Sequence, residues 1–346
     1  MNKQYAKAGV NIELGNQVKS KLPQLLSSTN RPEVLGKVGG FGGLFQLDLK
    51  KYKNPVLVSS VDGVGTKLKI AFASNKHDTI GLDLVNHCVN DIAVLGAEPL
   101  FFLDYIGVGK LDPKVFEQII SGFTKGCKLN NCTLIGGETA QMPGFYKKGE
   151  YDVSGTIVGV VEKDEMITGE NISEGDVVIG VQSNGLHTNG YSLARKILFD
   201  KMRYGVEDYI NDVDDVTDID NNLGDELLKP HMSYLSLVNE VKDYVNGIAH
   251  ITGGGFYDNI PRILPKNLDV VIEKKSWDVL PIFKFIQECG KVKSEEMYHV
   301  FNMGIGMVFI MNKKYAKKFL KDSKTLKYKS FIIGNVKSGD GRVSIV

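Results

Sequence analysis

Three acidic residues stand beside glycines or amide side chains in the first half of the chain. Asp62 opens Asp62-Gly63-Val64-Gly65-Thr66-Lys67, Asp91 closes Asn86-His87-Cys88-Val89-Asn90-Asp91, and Glu138 lies in Gly136-Gly137-Glu138-Thr139. Carboxylates are the ligands that a hard cation such as Mg²⁺ takes. Glycines beside them let backbone amides approach phosphate oxygens. The combination predicts a metal–nucleotide site, with Asp62, Asp91 and Glu138 on the metal. The first motif follows the apolar run Val56–Val61, so a strand end would present a ligand, the amides of Gly63 and Gly65, Thr66 and the Lys67 cation within one turn. The spacing Gly-x-x-x-x-Gly-Lys-Ser/Thr is absent, so this is not that phosphate loop. The competing reading is a surface turn with a solvated lysine.

The second motif belongs to a helix. At about 100° per residue, Asp83, Asn86, His87, Asn90 and Asp91 fall in an arc of roughly 140°. Leu84, Val85, Cys88, Val89, Ile92, Ala93 and Leu95 fill the other side. An ordinary solvated face would favour Lys, Glu, Gln and Arg, which are better helix formers. Asn, Asp and His offer short, stiff ligand groups instead. Gly36-Lys37-Val38-Gly39-Gly40-Phe41-Gly42-Gly43 reads either as a hinge or as a loop that closes on a nucleotide through Gly39, Gly40, Gly42 and Gly43. It lacks the dinucleotide spacing Gly-x-Gly-x-x-Gly.

In the second half, Ser183-Asn184-Gly185-Leu186-His187-Thr188-Asn189-Gly190 joins a strand to a helix. Asn189 can cap that helix and leave amides free for an anion. His250-Ile251-Thr252-Gly253-Gly254-Gly255 repeats the logic. A lone histidine is more often structural, but His187 and His250 beside glycine turns are candidates for substrate contact.

The elements that must position these groups alternate. A short helix is expected near Ile12–Leu26, β-rich runs at Leu44–Leu49 and Pro55–Val61, a helix at Thr79–Leu95 and a strand at Leu100–Val108. Pro113–Leu129 reads as a helix capped by Asp112, followed by strands at Thr133–Ile135 and Val153–Val161. The polar stretch Glu162–Gly175 reads as a boundary, giving domains 1–165 and 166–346. A second rhythm follows: strand Val177–Val181, helix Tyr191–Phe199, an acidic solvated loop Asp208–Asp225, helix Tyr234–Tyr244, strand Ile248–Ile251 and helix Tyr257–Leu264. The fold class is α/β (α+β).

The chain of 346 residues is 42% hydrophobic and 24% charged with net charge +1, which implies no general attraction to nucleic acid or membrane. Its four cysteines form no Cys-x-x-Cys pair and read as reduced thiols. No apolar run approaches the ~20 residues that span a bilayer. The first residues lack the apolar core of a signal peptide, so a cytoplasmic location is expected.

Taken in order, these blocks resemble the aminoimidazole ribonucleotide synthetase, or phosphoribosylformylglycinamidine cyclo-ligase, family. The resemblance runs from Tyr5-Ala6-Lys7-Ala8-Gly9-Val10 to Phe301-Asn302-Met303-Gly304-Ile305-Gly306-Met307. It includes Arg31-Pro32-Glu33-Val34, Gly96-Ala97-Glu98-Pro99-Leu100-Phe101-Phe102-Leu103-Asp104-Tyr105 and Met142-Pro143-Gly144. It implies an ATP- and Mg²⁺-dependent ring closure in purine synthesis, in which ATP phosphorylates the formyl oxygen of formylglycinamidine ribonucleotide, the ribosyl-bearing nitrogen then attacks the activated carbon, and phosphate leaves. It also implies a homodimer in which first-domain strands pair into a barrel, beside a C-terminal α+β domain. Lys67 would pair with phosphate, and the glycine loop would cover the nucleotide. Asn86, Gly63, Gly65 and Thr66 would line the nucleotide site. Asn189 and Gly190, with Thr252, Gly253 and Gly254, would hold anionic groups. His187 and Asp104 are the candidates for a general base. The alternatives are another ATP-dependent member of the same superfamily, such as a thiamine-monophosphate kinase-like enzyme, and a non-catalytic nucleotide-binding protein.

Overall fold

The computed structural model of the chain describes residues 3–20, 22–36, 40–210, 219 and 221–346. Two compact units emerge, one built from residues 1–92 and 97–163, the other from 93–96 and 164–346.

The first unit is organised by a four-stranded sheet of Pro55–Gly63 (β1), Glu98–Val108 (β2), Thr133–Gln141 (β3) and Tyr151–Glu162 (β4), in the order β1-β4-β2-β3. β2 and β3 run parallel. A parallel pair needs a long crossover, and helix α2, Pro113–Leu129, supplies it. Asp112 caps α2 as its sequence predicts, its Oδ1 accepting from the amides of Lys114 at 2.9 Å and Val115 at 3.3 Å. Alternation sets the faces of the sheet. Phe102, Asp104 and Ile106 are buried, with Phe102 against Phe123 of α2, while Leu57, Val61 and Leu103 are exposed.

Helix α1, Ile80–Ala93, carries the predicted polar arc. It meets α2 where neither helix has room for a side chain. A Cβ on Gly81 would stand 2.3 Å from both Ile119 O and Phe123 N. Gly81→Ala must push two backbones apart, and we expect a loss of about 1–3 kcal/mol. A lowered urea midpoint with unchanged slope would register it; an unchanged midpoint would count against this contact.

Three expectations shift. The helix near Ile12–Leu26 is two helices, Ile12–Lys19 and Leu22–Ser27, because Pro23 is tolerated only in a first turn. The run Leu44–Leu49 contributes only Leu44–Phe45, paired with Val34–Leu35. Gly136–Thr139 is not a turn after β3 but part of it. A bulge at Ile135 shifts the register, after which Leu103 to Val108 pair continuously with Gly136 to Gln141.

The second unit has a six-stranded sheet: Val177–Gln182 (β5), Gly247–His250 (β6), Leu268–Ile272 (β7), Ile305–Met311 (β8), Ser330–Ser338 (β9) and Val343–Ile345 (β10). Their order is β10-β7-β9-β5-β8-β6. β8 reads Ile-Gly-Met-Val-Phe-Ile-Met and is buried throughout, as a strand covered on both faces must be. It runs antiparallel to both β5 and β6, so these two end at the same edge of the sheet. The predicted helix at Tyr191 is α-helical only over Tyr191–Arg195 (α3) and continues as a π-helical stretch, Lys196–Lys201. Gly255–Asn259 forms α4. Of the expected acidic loop, residues 211–218 and 220 lie outside the described residues, and its far end enters a helix, Leu223–Leu227, capped by Asn222.

Candidate active site

The polar arc of α1 is not solvated. Asp83, Asn86, His87 and Asn90 are each at most 3% exposed. Asn86 Oδ1 accepts from Asn130 Nδ2 at 2.8 Å, and the same nitrogen donates to Gly126 O. This places Asn86, expected at a nucleotide, in the packing between α1 and the end of α2.

His87 gathers two of the expected metal ligands. Its Nε2 lies 2.9 Å from Asp62 Oδ2 at the end of β1 and 3.8 Å from Asp91 Oδ2 one turn along α1. Ser60 Oγ donates to Asp91 Oδ2 at 3.0 Å, and the Gly63 amide donates to Asp62 Oδ1 at 2.7 Å. Burial alone would raise the Asp62 carboxyl, but the His87 hydrogen bond and charge, with the Gly63 amide, hold it below its ordinary value. His87 shows the converse: burial opposes its charge, and the carboxylates of Asp62, Asp91 and Asp83 raise it above an ordinary imidazole. Two oxygen-donor groups thus converge on one point, partly open to solvent at 42% and 27% side-chain exposure.

Glu138 is not brought to this pair. The register runs Gly63–Ser154–Tyr105–Glu138 across the sheet, which separates Glu138 from the Asp62 end of β1 by three strand spacings, roughly 14 Å. It lines a different cleft of about 580 Å³ with Asp104, Gly40, Gly42 and Gly43. Gly39 lies outside the described residues.

Lys67 also departs from expectation. It is turned away from the surface, 0% exposed, with Nζ 2.8 Å from Asp83 Oδ1, itself 0% exposed. The first residue of a helical turn, Gly65, adopts φ +65 and opens the way inward. An ammonium inside the protein needs a carboxylate, and Asp83 on α1 supplies it. Gly65 and Thr66 remain exposed beside Asp62.

Asp104 on β2 is 9% exposed, and its Oδ1 lies 2.2 Å from where a Cβ on Gly137 would stand, so only glycine fits opposite it. Burial foremost raises its carboxyl to about 7, with the Glu138 charge adding to the rise. The folded chain therefore holds a proton that the unfolded chain releases above 3.8, and stability falls as pH climbs from there to about 7. Asp104→Asn removes this slope. We expect the variant to gain on the parent between pH 5 and pH 8 in urea unfolding; parallel stability profiles would refute it.

In the second unit, the two predicted anion turns meet. Ser183–Gly190 leaves β5 and Ile251–Gly255 leaves β6, and Asn189 Oδ1 lies 3.3 Å from the Cβ position of Gly253. Asn302 fixes the first turn: its Oδ1 accepts from Ser183 Oγ at 3.0 Å and from Gly304 N at 2.8 Å, and its Nδ2 donates to Gly185 O at 3.0 Å. Asn259 of α4 fixes the second, donating to Gly255 O at 2.8 Å and Gly253 O at 3.2 Å. His187 is 1% exposed, has a left-handed backbone at φ +61, and stacks on His231 with ring centroids 4.1 Å apart. Sequence reasoning did not find His231, Asn259 or the role of Asn302. Pro230-His231-Met232-Ser233 carries neither glycine nor periodicity, so nothing in it marks a site.

Both units match the same class of protein. The AIR synthase related protein N-terminal domain matches residues 47–161, and the AIR synthase related protein C-terminal domain matches residues 173–346. The mixed α/β two-domain fold recurs in thiamine-monophosphate kinase from Stenotrophomonas maltophilia, with TM-score 0.69, 15% identity, and 94% and 95% of the two chains covered. It recurs also in the hydrogenase maturation protein HypE in complex with ATP, with TM-score 0.67, 17% identity, and 94% and 90% covered. At such identities the likeness is one of fold. Sequence goes further. The chain is 53% identical over 336 residues to phosphoribosylformylglycinamidine cyclo-ligase of Trichlorobacter lovleyi, covering 96% of this chain and 95% of that one. It is 51% identical over 340 residues to that of Caldanaerobacter subterraneus, covering 98% and 99%. The chain belongs to the phosphoribosylformylglycinamidine cyclo-ligase family.

Proposed function

We propose that this chain closes the imidazole ring of 5-aminoimidazole ribonucleotide in purine biosynthesis, consuming ATP and releasing ADP and phosphate. The observation that carries this reading is identity of about half over nearly the full length of both chains to curated cyclo-ligases. The thiamine-monophosphate kinase likeness rests on fold alone.

An amide oxygen is a poor leaving group, and phosphorylation makes it a good one. The protein's work is then to position the reactants and stabilise charge. Asp62 and Asp91 are the residues that would hold Mg²⁺, since two carboxylates on one point suit a hard cation that keeps water and phosphate as its other ligands. When bound, Mg²⁺ would offset the negative charge on the transferring phosphoryl group. Gly65 and Thr66, exposed near Asp62, would face phosphate oxygens, with the half-buried Gly63 beside them. Glu138 then belongs with Gly40, Gly42 and Gly43 to the separate cleft, where Asp104 sits at a pKa suited to taking up a proton near neutrality. The Asn189–Gly190 and Thr252–Gly254 turns would hold anionic groups, at least one of them a phosphate.

A homodimer is part of this reading. Leu57 and Val61 are 64% and 65% exposed on the sheet face away from α1 and α2. Apolar side chains in a row of strands need cover, and a second copy of the same sheet would give it. Among the described residues no helix is long and apolar enough to cross a membrane.

Incubation with ATP, Mg²⁺ and formylglycinamidine ribonucleotide should give aminoimidazole ribonucleotide. No product, together with phosphorylation of thiamine monophosphate, would overturn the assignment. Sedimentation should give a dimer; a stable monomer would remove the shared barrel.

A further inference from the structure

The first unit holds a further cavity, of about 230 Å³, that shares no residue with the Asp62–Asp91 pair or the glycine loop. It lies under the first turn of α2, between the end of β2, the start of β4 and the segment 72–77. Ile106, Val108, Leu111, Phe116 and Ile119 give it apolar walls, and the Phe72 and Tyr151 rings meet edge to face at 78°. Two polar side chains are buried in this lining, His77 at 3% exposure and Tyr151 at 4%. The His77 amide donates to Gln118 Oε1 of α2 at 3.2 Å, which fixes the histidine against the helix.

The Tyr151 hydroxyl lies 3.0 Å from His77 Nδ1. It has no other acceptor among the described residues, and a buried O–H donates to the acceptor at hand. Nδ1 is therefore the lone pair, and the proton of the neutral imidazole is on Nε2. Burial keeps the ring neutral, pushing its pKa below that of an ordinary imidazole against the charges of Asp112 and Asp78. The Nε2–H has no acceptor among the described residues, since the other contacts of the ring are with the Phe72 and Tyr151 rings. A donor held in this way, at the wall of an apolar cavity, is a group waiting for a ligand's acceptor.

We propose that this cavity binds a fused two-ring heteroaromatic base of the purine type, one ring nitrogen of which accepts from His77 Nε2–H. An alkyl chain would leave that N–H unpaired. A carboxylate would bring an uncompensated charge among apolar walls. A ring nitrogen in a flat, otherwise apolar ring meets both demands. At about 30 Å³ per water, 230 Å³ is roughly eight waters, the size of a two-ring base rather than of a nucleotide. Asp112, exposed at the rim, spends Oδ1 on the cap of α2 and keeps Oδ2 for N–H groups of the base.

Benzimidazole and indole have the same outline and differ in one ring nitrogen, the acceptor. Each is titrated, at a pH where both are neutral, into the intact protein with a saturating non-hydrolysable ATP analogue, which fills any site for ATP. Calorimetry gives the affinity, and imidazole ¹⁵N spectra report His77. Benzimidazole should bind once per chain, shift the His77 Nε2 resonance and bind about tenfold more tightly than indole or better. Adenine should follow benzimidazole. The double variant His77→Phe/Tyr151→Phe removes the donor without stranding a phenol. It should bind benzimidazole at least about tenfold more weakly while turnover stays at the parent level. Equal affinity for benzimidazole and indole, or binding that leaves the His77 resonance in place, would rule the site out. So would an absence of binding at millimolar benzimidazole, which would mean that the cavity takes water only. Every ligand comparison is read on the parent protein and needs no variant to fold.

Discussion

Asp91→Asn should fold like the parent and lose turnover by roughly 10²–10³-fold. Asparagine has the shape of aspartate and keeps an oxygen for the Ser60 hydroxyl, which lies 3.0 Å from Asp91 Oδ2. It removes only the charge. Asp91 is partly exposed, at 27% of its side chain, so the stability effect should stay below about 1 kcal/mol. The effect on activity has a different origin. Asp62 and Asp91 are the two carboxylates that converge on His87 Nε2, at 2.9 and 3.8 Å. With one neutral, a cation there loses half of its protein charge, and affinity should fall about 10–100-fold. Raising Mg²⁺ should therefore recover part of the loss. The measurement is kcat across a MgCl₂ series beside a thermal melt. Parent-like turnover at low Mg²⁺ would remove Asp91 from the metal site, and a collapsed melt would show that the carboxylate is structural.

The pair Asp62–Asp91 was legible because local sequence rules determine both positions. A β run ending in Asp-Gly and a helical arc of Asn, His and Asp can be read without knowing what surrounds them. Glu138 shows the limit. Its motif matches the Asp62 motif in wording, yet Gly136–Thr139 lies inside β3, and strand order decides what a carboxylate can reach. Two strands, β4 and β2, come between it and β1, a fact of long-range pairing that no local pattern encodes. His231 was hidden for the same reason. It is 43 residues from Thr188 and 19 from His250, and only the β5-β8-β6 arrangement brings the three together. The alternation of strands and helices was legible over long, strongly patterned runs such as Pro113–Leu129, while a helix end such as the π-helical Lys196–Lys201 was not.

Lys67 separates a phosphate contact from a structural one, and a pair of variants can tell them apart. Lys67→Met removes the partner of Asp83 in a site where both side chains are 0% exposed and 2.8 Å apart. A buried carboxylate deprived of its counter-ion costs about 3–5 kcal/mol, which lowers the melting temperature by roughly 10 °C in a unit of this size. Burial is the dominant influence on Lys67 and depresses its pKa, with the Asp83 charge opposing. The double variant Lys67→Met/Asp83→Leu removes both charges at once. It should regain all but about 1–2 kcal/mol of the lost stability, because a buried ion pair is worth little more than a well-packed apolar one. Turnover decides the role. The pair fastens the Asp62–Thr66 loop to α1, which carries His87 and Asp91, so a structural Lys67 predicts that the double variant recovers activity along with its melting temperature. A lysine that neutralised phosphate would leave the double variant stable and inactive.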